Sequence, residues 1–193
     1  MDRQSKTKSS YILALLGLLN LGLLFSAPAN AGVFELSVGF SFNQSNYSGD
    51  SFYWTRRWGA SFAYHFSERS GLEFGFQDIT DRTFIQGFQD TTFHDQIYSV
   101  SWIQSLLPKD YRLQPYFKIG VGQLNRDASG SYADGGVPPP RVDSITGVFA
   151  FGFKLFILQQ FALRSEITTY LTGGSIRTWK DNIAFSVGLS FFF

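Results

Sequence analysis

His65 and His94 are the only imidazoles in the chain, and they limit the chemistry its side chains could perform. A serine hydrolase needs a Ser nucleophile, a His within hydrogen-bond reach and a carboxylate that orients the ring. His94 has Asp95 beside it and Ser99 and Ser101 shortly after it. On an extended strand, however, side chains alternate between faces, so His94 points away from Ser99 and Ser101. His65 lies beside Phe66 and Ser67 at a turn, at the other end of its strand from the longer loops. No triad assembles along either strand. No pairing of His with carboxylates has metal-ligand spacing, and there is no P-loop or dinucleotide fingerprint. The expectation is therefore no catalytic residue, no metal and no cofactor. Asn43-Gln44-Ser45 and Asn46-Tyr47-Ser48 match a glycosylation pattern that is common by chance in polar loops.

A second set of residues carries more information. Glu35, Arg57, His65, Glu73, Lys118, Lys154, Arg164 and Glu166 fall on the strand face that otherwise carries small residues. Leaving His65 aside, the acids and bases are nearly balanced, which suits mutual pairing in a confined space, because an unpaired buried charge is costly. The expectation is an interior polar network formed by Glu35, Arg57, Glu73, Lys118, Lys154, Arg164 and Glu166. A selective pore lined by the same charges is the alternative. Arg164 and Glu166 share a face two residues apart, and Lys154 approaches them across the tight hairpin at 157–160, so these three are expected to interact most closely.

The elements that position these residues are read from a period of two. Phe34, Leu36, Val38, Phe40 and Phe42 alternate with Glu35, Ser37, Gly39 and Ser41. At the other end, Phe185, Val187, Leu189, Phe191 and Phe193 alternate with Ala184, Ser186, Gly188, Ser190 and Phe192. Between these strands the pattern predicts six more, near 52–66, 71–84, 92–105, 112–125, 142–156 and 161–172. Short turns at 67–70, 108–111 and 158–160 alternate with longer connections at 43–51, 83–91, 126–141 and 172–180. That alternation describes an up-and-down meander. The connection containing Gly135-Gly136 and Pro138-Pro139-Pro140 is expected to be a mobile loop with a short polyproline segment.

Composition narrows the class. The chain has 193 residues, of which 44% are hydrophobic and 18% aromatic, with 22 Phe. Charged residues reach 16%, against roughly 25% in an average soluble protein. The aromatic content excludes a disordered chain, the absence of Cys excludes a disulfide scaffold, and a net charge of +1 argues against a nucleic-acid partner. Residues 1–31 differ from the rest: Arg3, Lys6 and Lys8 precede an apolar run from Tyr11 to Phe25, and Ala29-Asn30-Ala31 has the small-x-small pattern of a cleavage site. This predicts a secretory signal peptide over 1–31 and a single domain over 32–193. The apolar run is too short for a transmembrane helix, which needs ~20 residues to cross about 30 Å of hydrocarbon. No comparable run follows.

An eight-stranded meander can close as a soluble or a membrane barrel. A soluble barrel would bury its large apolar face and show water a face of Gly, Ala, Ser and Thr that is poor in charge. A membrane barrel turns the large apolar face to lipid and packs the small polar one inside. Ile145, Phe149, Phe151 and Phe153, alternating with Thr146, Val148, Ala150, Gly152 and Lys154, fit the second arrangement. Trp54, Trp58, Tyr64, Trp102 and Trp179 could form interfacial girdles. Closure also satisfies every backbone polar group within hydrocarbon. The predicted fold is an eight-stranded antiparallel up-and-down transmembrane β-barrel.

Gln114-Pro115-Tyr116, Gly120-Val121-Gly122, Leu163-Arg164-Ser165-Glu166 and the terminal Ser186-Val187-Gly188-Leu189-Ser190-Phe191-Phe192-Phe193 resemble the small OmpA/OmpX-like outer-membrane β-barrel family of Gram-negative bacteria. The resemblance covers the whole mature chain. It implies export through the periplasm to the outer membrane, with outer-membrane lipid and lipopolysaccharide as surroundings and a monomeric barrel. It also implies that Ser186, Gly188, Phe191 and Phe193 form an assembly signal read by the insertion machinery, with periplasmic chaperones as earlier partners. Lys118 stands where the family more usually has a small residue, which makes an open lumen less expected. The implied role is structural or surface-interacting, with a largely plugged lumen. A narrow porin-like channel for small solutes is the alternative. A lipid A-modifying hydrolase or acyltransferase is a further one that the histidine positions disfavour.

Overall fold

The computed structural model describes residues 33–48, 51–108, 110–132, 135–172 and 183–193. The segment read as a signal peptide and most of the connection at 172–180 lie outside them. Eight strands form: β1 (Val33–Ser48), β2 (Ser51–His65), β3 (Ser70–Ile85), β4 (Gln89–Ser105), β5 (Leu113–Tyr132), β6 (Val142–Leu158), β7 (Phe161–Thr172) and β8 (Ile183–Phe192). Each pairs antiparallel with the next, and β8 returns to β1 to close the barrel. Two backbone hydrogen bonds between Phe34 and Phe193, each 3.0 Å, continue the closure at the end where the short turns lie.

The period-two pattern sets the two faces. Phe40, Phe42, Phe74, Val121, Phe151 and Phe185 are outward and exposed, whereas Glu35, Glu73, Lys118, Lys154, Arg164 and Glu166 are inward and buried. The molecule is thus inverted relative to a soluble barrel: apolar outside, ionic inside. On the outer face of β2 to β4 the apolar band gives way to Arg56, Asp78, Thr80 and His94, which mark its polar rim.

The structure corrects the predicted loops on this side. The connection expected at 43–51 is mostly paired strand, with Asn43 to Asn46 opposite Phe52 to Thr55. The one expected at 83–91 shrinks to a turn, in which the Phe88 amide donates to the Ile85 carbonyl at 3.0 Å. The first part of 126–141 is also strand, because β5 stays paired with β4 as far as Tyr132 opposite Gln89. Hydrophobic alternation stops at the polar rim, but backbone hydrogen bonding does not need it. Polar residues such as Thr91 and Thr92 continue the ladder beyond the band. Residues 137–140, with the three prolines, have no regular secondary structure.

Candidate functional site

Six inward charges, Glu35, Glu73, Lys118, Lys154, Arg164 and Glu166, meet in the half of the lumen nearer the short turns, while Arg57, Asp81, Asp95 and Arg126 lie nearer the outer end. Glu35 of β1 is 1% exposed and lies between three partners. Lys154 Nζ of β6 donates to its Oε2 at 2.5 Å, His65 Nε2 lies 2.7 Å from the same oxygen, and Ser37 Oγ donates to Oε1 at 3.1 Å. Ser37 in turn lies 2.8 Å from Ser190 on β8, tying the closing strands together from inside.

A second centre lies alongside. Arg164 of β7 donates through Nη1 to Glu73 Oε2 at 2.9 Å, through Nη2 to Glu166 Oε2 at 2.7 Å, and through Nε to the Tyr116 hydroxyl at 2.7 Å. The Tyr116 hydroxyl in turn donates a hydrogen bond to Glu166 Oε2, also at 2.7 Å. Lys118 Nζ bridges Glu73 and Glu166 at 2.8 and 2.9 Å. Thr168 Oγ1 donates to Glu166 Oε1 at 2.7 Å, the same oxygen that faces Lys118. Arg164 Nη1 approaches Glu35 Oε1 at 3.7 Å, so the two centres form one continuous network.

Local sequence explains why the network fits. Tyr116 pairs in register with Gly152, and a Cβ at residue 152 would lie 2.5 Å from the tyrosine hydroxyl. Only glycine leaves room for that ring. Three carboxylates face three cations; each carboxylate, Lys118 and Arg164 have more than one polar partner, and Lys154 adds the Tyr116 and Phe192 rings to its bond with Glu35. This is the condition under which buried charges become tolerable, since desolvation is then offset by pairing and hydrogen bonding.

The expected set is mostly brought together, with two corrections. Lys154 does not join Arg164 and Glu166 as predicted; it turns to Glu35. Its ladder partner is Arg164, and like charges directly opposite repel. Arg57 does not belong to the network either. Its guanidinium carbon lies 5.7 Å from the centroid of the Tyr170 ring, and its buried Nε and Nη1 have no hydrogen-bond partner. An apolar layer of Ile79, Ile97, Leu124, Val148 and Tyr170 lies nearer the outer end of the lumen. The sequence reading missed Tyr116, Ser37, Thr168 and Ser190. Tyr116 was readable from parity alone, two residues from Lys118 on the same face.

Neither histidine is hydrogen-bonded to a serine among the described residues. His94 points outward and pairs with Asp78 at 2.9 Å, while Ser101 is buried in the lumen. Around His65 the carboxylate of Glu35 sits between Ser37 and the imidazole, so the ring cannot take the serine proton. Among the described residues no cluster of His, Asp or Glu could hold a metal ion. Of the expected assembly residues, Gly188 lies where β8 crosses β1: a Cβ there would come within 2.1 Å of the Val38 carbonyl. Phe193 stacks on Phe34 and Phe191 on the outer surface.

Between the two centres and the apolar layer lies a void of about 70 Å³, room for a few waters. Larger cavities open at each end, about 470 Å³ on the outer side and about 520 Å³ on the short-turn side.

Comparison with known proteins agrees with this architecture. The family model described as outer membrane protein beta-barrel domain matches residues 16–191. The N-terminal β-barrel domain of OprF from Pseudomonas aeruginosa superposes with a TM-score of 0.56 at 12% identity, covering 84% of this chain and 98% of that one. Ail, the attachment invasion locus protein of Yersinia pestis, gives 0.55 at 12% identity over 84% of this chain and 99% of its own. OprG from Pseudomonas aeruginosa gives 0.55 at 12% identity over 85% and 97%. No curated protein matches the chain in sequence.

Proposed function

Because the chain belongs to the outer membrane protein β-barrel domain family, we propose that it is a small barrel of the bacterial outer membrane with a structural or surface-interaction role and a lumen closed to steady ion flow. One observation carries this reading: Glu35, Glu73, Glu166, Lys118, Lys154 and Arg164 pair with one another across the lumen. An eight-stranded barrel has an interior about wide enough for its own side chains. Opening a water path would separate partners that now satisfy one another.

The surface role is supported by the strands that continue past the polar rim. There Phe52 stacks on Phe84, the Arg82 guanidinium lies over the Phe52 ring and pairs with Asp90 at 2.8 Å, and Phe88 is exposed at the turn. Lipopolysaccharide would surround this rim, and the insertion machinery and periplasmic chaperones would handle the chain before it folds. The reading is of a monomer without catalytic activity. A narrow channel for small solutes is favoured by the cavities at both ends, and conductance separates the two readings. In planar bilayers the intact barrel should give no steady current. Reproducible, salt-dependent current steps would replace the closed barrel with the channel.

A further inference from the structure

The outer cavity of about 470 Å³ is lined by Ile79, Ile97, Leu124 and Tyr170 together with Arg57, Asp81, Asp95 and Arg126. Arg126 and Asp95 satisfy each other through two parallel hydrogen bonds of 2.7 and 2.5 Å. Arg57 is different. Its Nε and Nη1 are buried without a hydrogen-bond partner, and one face of the guanidinium is covered by Tyr170. These two idle donors point from opposite edges of a fixed cationic plane, so either can give a charge-assisted hydrogen bond to one oxygen of an anionic head.

Among the described residues, no ladder joins β1 to β8 along one side of the cavity. β1 and β8 pair from Glu35 with Phe192 to Phe40 with Val187. Continued in the same register, Ser41 would pair with Ser186, Phe42 with Phe185 and Asn43 with Ala184. None of these pairs forms, although β8 stays bonded to β7 as far as Ile183. The cavity is lined at this gap by Phe42, Ile183 and Phe185, which are exposed on the outward, apolar face. The cavity thus borders the stretch where β1 and β8 are unpaired. Arg57 pairs in register with Ser41, the first residue beyond the parting, so it sits beside the foot of the gap.

We propose that the parting of β1 and β8 admits a long-chain carboxylate from the outer leaflet, with its head on Arg57 and its acyl chain leaving between Phe42 and Phe185. Ile79, Ile97 and Leu124 offer the chain an apolar surface beside the head. Asp81 also lines this cavity, with a buried Oδ1 that has no hydrogen-bond partner. Its negative charge in the same cavity works against a bound anion, so removing it should tighten binding. The site lies outside the ionic network, so it stands whether or not the lumen conducts.

The test uses the intact barrel in phosphatidylcholine nanodiscs, titrated with cis-parinaric acid, a fluorescent long-chain acid, with empty nanodiscs as the partition control. The barrel should add a saturable component that oleate displaces and a long-chain alcohol of equal length does not. Arg57→Gln should weaken it at least about tenfold, or ~1.4 kcal/mol. Arg57→Lys should keep part of the affinity, and Asp81→Asn should raise it. A gel-mobility shift on heating establishes that each variant is folded. Unchanged affinity in Arg57→Gln, absence of the saturable component, or equal displacement by alcohol and oleate overturns the site. Displacement by butyrate as effective as by oleate overturns the acyl route between the strands.

Discussion

Lys154 and Arg164 are direct ladder partners on β6 and β7, yet each turns to a different carboxylate, and Glu35 lies within reach of both: 2.5 Å from Lys154 Nζ and 3.7 Å from Arg164 Nη1. Of the two buried cations, Arg164 also has Glu73 and Glu166, whereas Lys154 depends on Glu35 for its charge partner. The Lys154 partner is 119 residues distant in sequence, so the contact exists only when the barrel is closed.

Glu35→Gln should therefore leave Lys154 buried with its charge uncompensated, at a cost of about 3 to 5 kcal/mol. The measure is urea unfolding of the refolded barrel in micelles. The double variant Glu35→Gln, Lys154→Met removes both charges and should recover most of the loss, as apolar replacement of buried pairs often does. A single variant as stable as the parent would show that water screens this part of the lumen.

How much of this was legible in the sequence depends on which periodicity carried it. Face assignment follows from a period of two, so the inward set from Glu35 to Glu166 could be read directly. Partner choice could not. It depends on strand tilt and stagger, which decide the residues that share a level of the lumen, and no local pattern encodes that Lys154 reaches β1 rather than Glu166. The same limit hid the separation of Arg57 from the network: parity places it inside, but only the register puts it beside Ile79 and Ser41. The ladder beyond the polar rim was missed because Thr91 opposite Gly130 carries no hydrophobic signature.

Gly152 tests whether the network depends on backbone clearance as well as on charge. A Cβ at this position meets the Tyr116 hydroxyl at 2.5 Å and the Ser165 carbonyl at 2.6 Å, so Gly152→Ala forces both to move. Overpacking of this kind costs about 1 to 3 kcal/mol. Gly147 on the same strand provides the control, because a Cβ there meets only Leu171 side-chain atoms, at 3.4 Å or more. Gly147→Ala should change stability by no more than about 0.5 kcal/mol. Equal effects from the two substitutions would show that the Tyr116 packing does not limit stability.

The last two residues separate assembly from packing. Phe193 lies outside the barrel wall against Phe34 and Phe191, whereas Phe192 points inward, with its ring 6.1 Å from His65 and 5.1 Å from Phe156 and the Lys154 ammonium 5.4 Å from its centroid. If Phe193 acts as an assembly signal, Phe193→Ala should slow insertion by the reconstituted insertion machinery while leaving the unfolding midpoint of the finished barrel nearly unchanged. That substitution, unlike deletion, keeps both backbone hydrogen bonds to Phe34. Phe192→Ala should do the reverse. It should insert at the parental rate but lose about 1 to 3 kcal/mol, less than the roughly 3 to 5 of a fully buried phenylalanine, because the ring is only half-buried. Pulse-labelled insertion assays read the first effect and urea unfolding the second. Equal insertion defects in the two variants would remove the signal role from Phe193 and leave it as one more aromatic of the outer face.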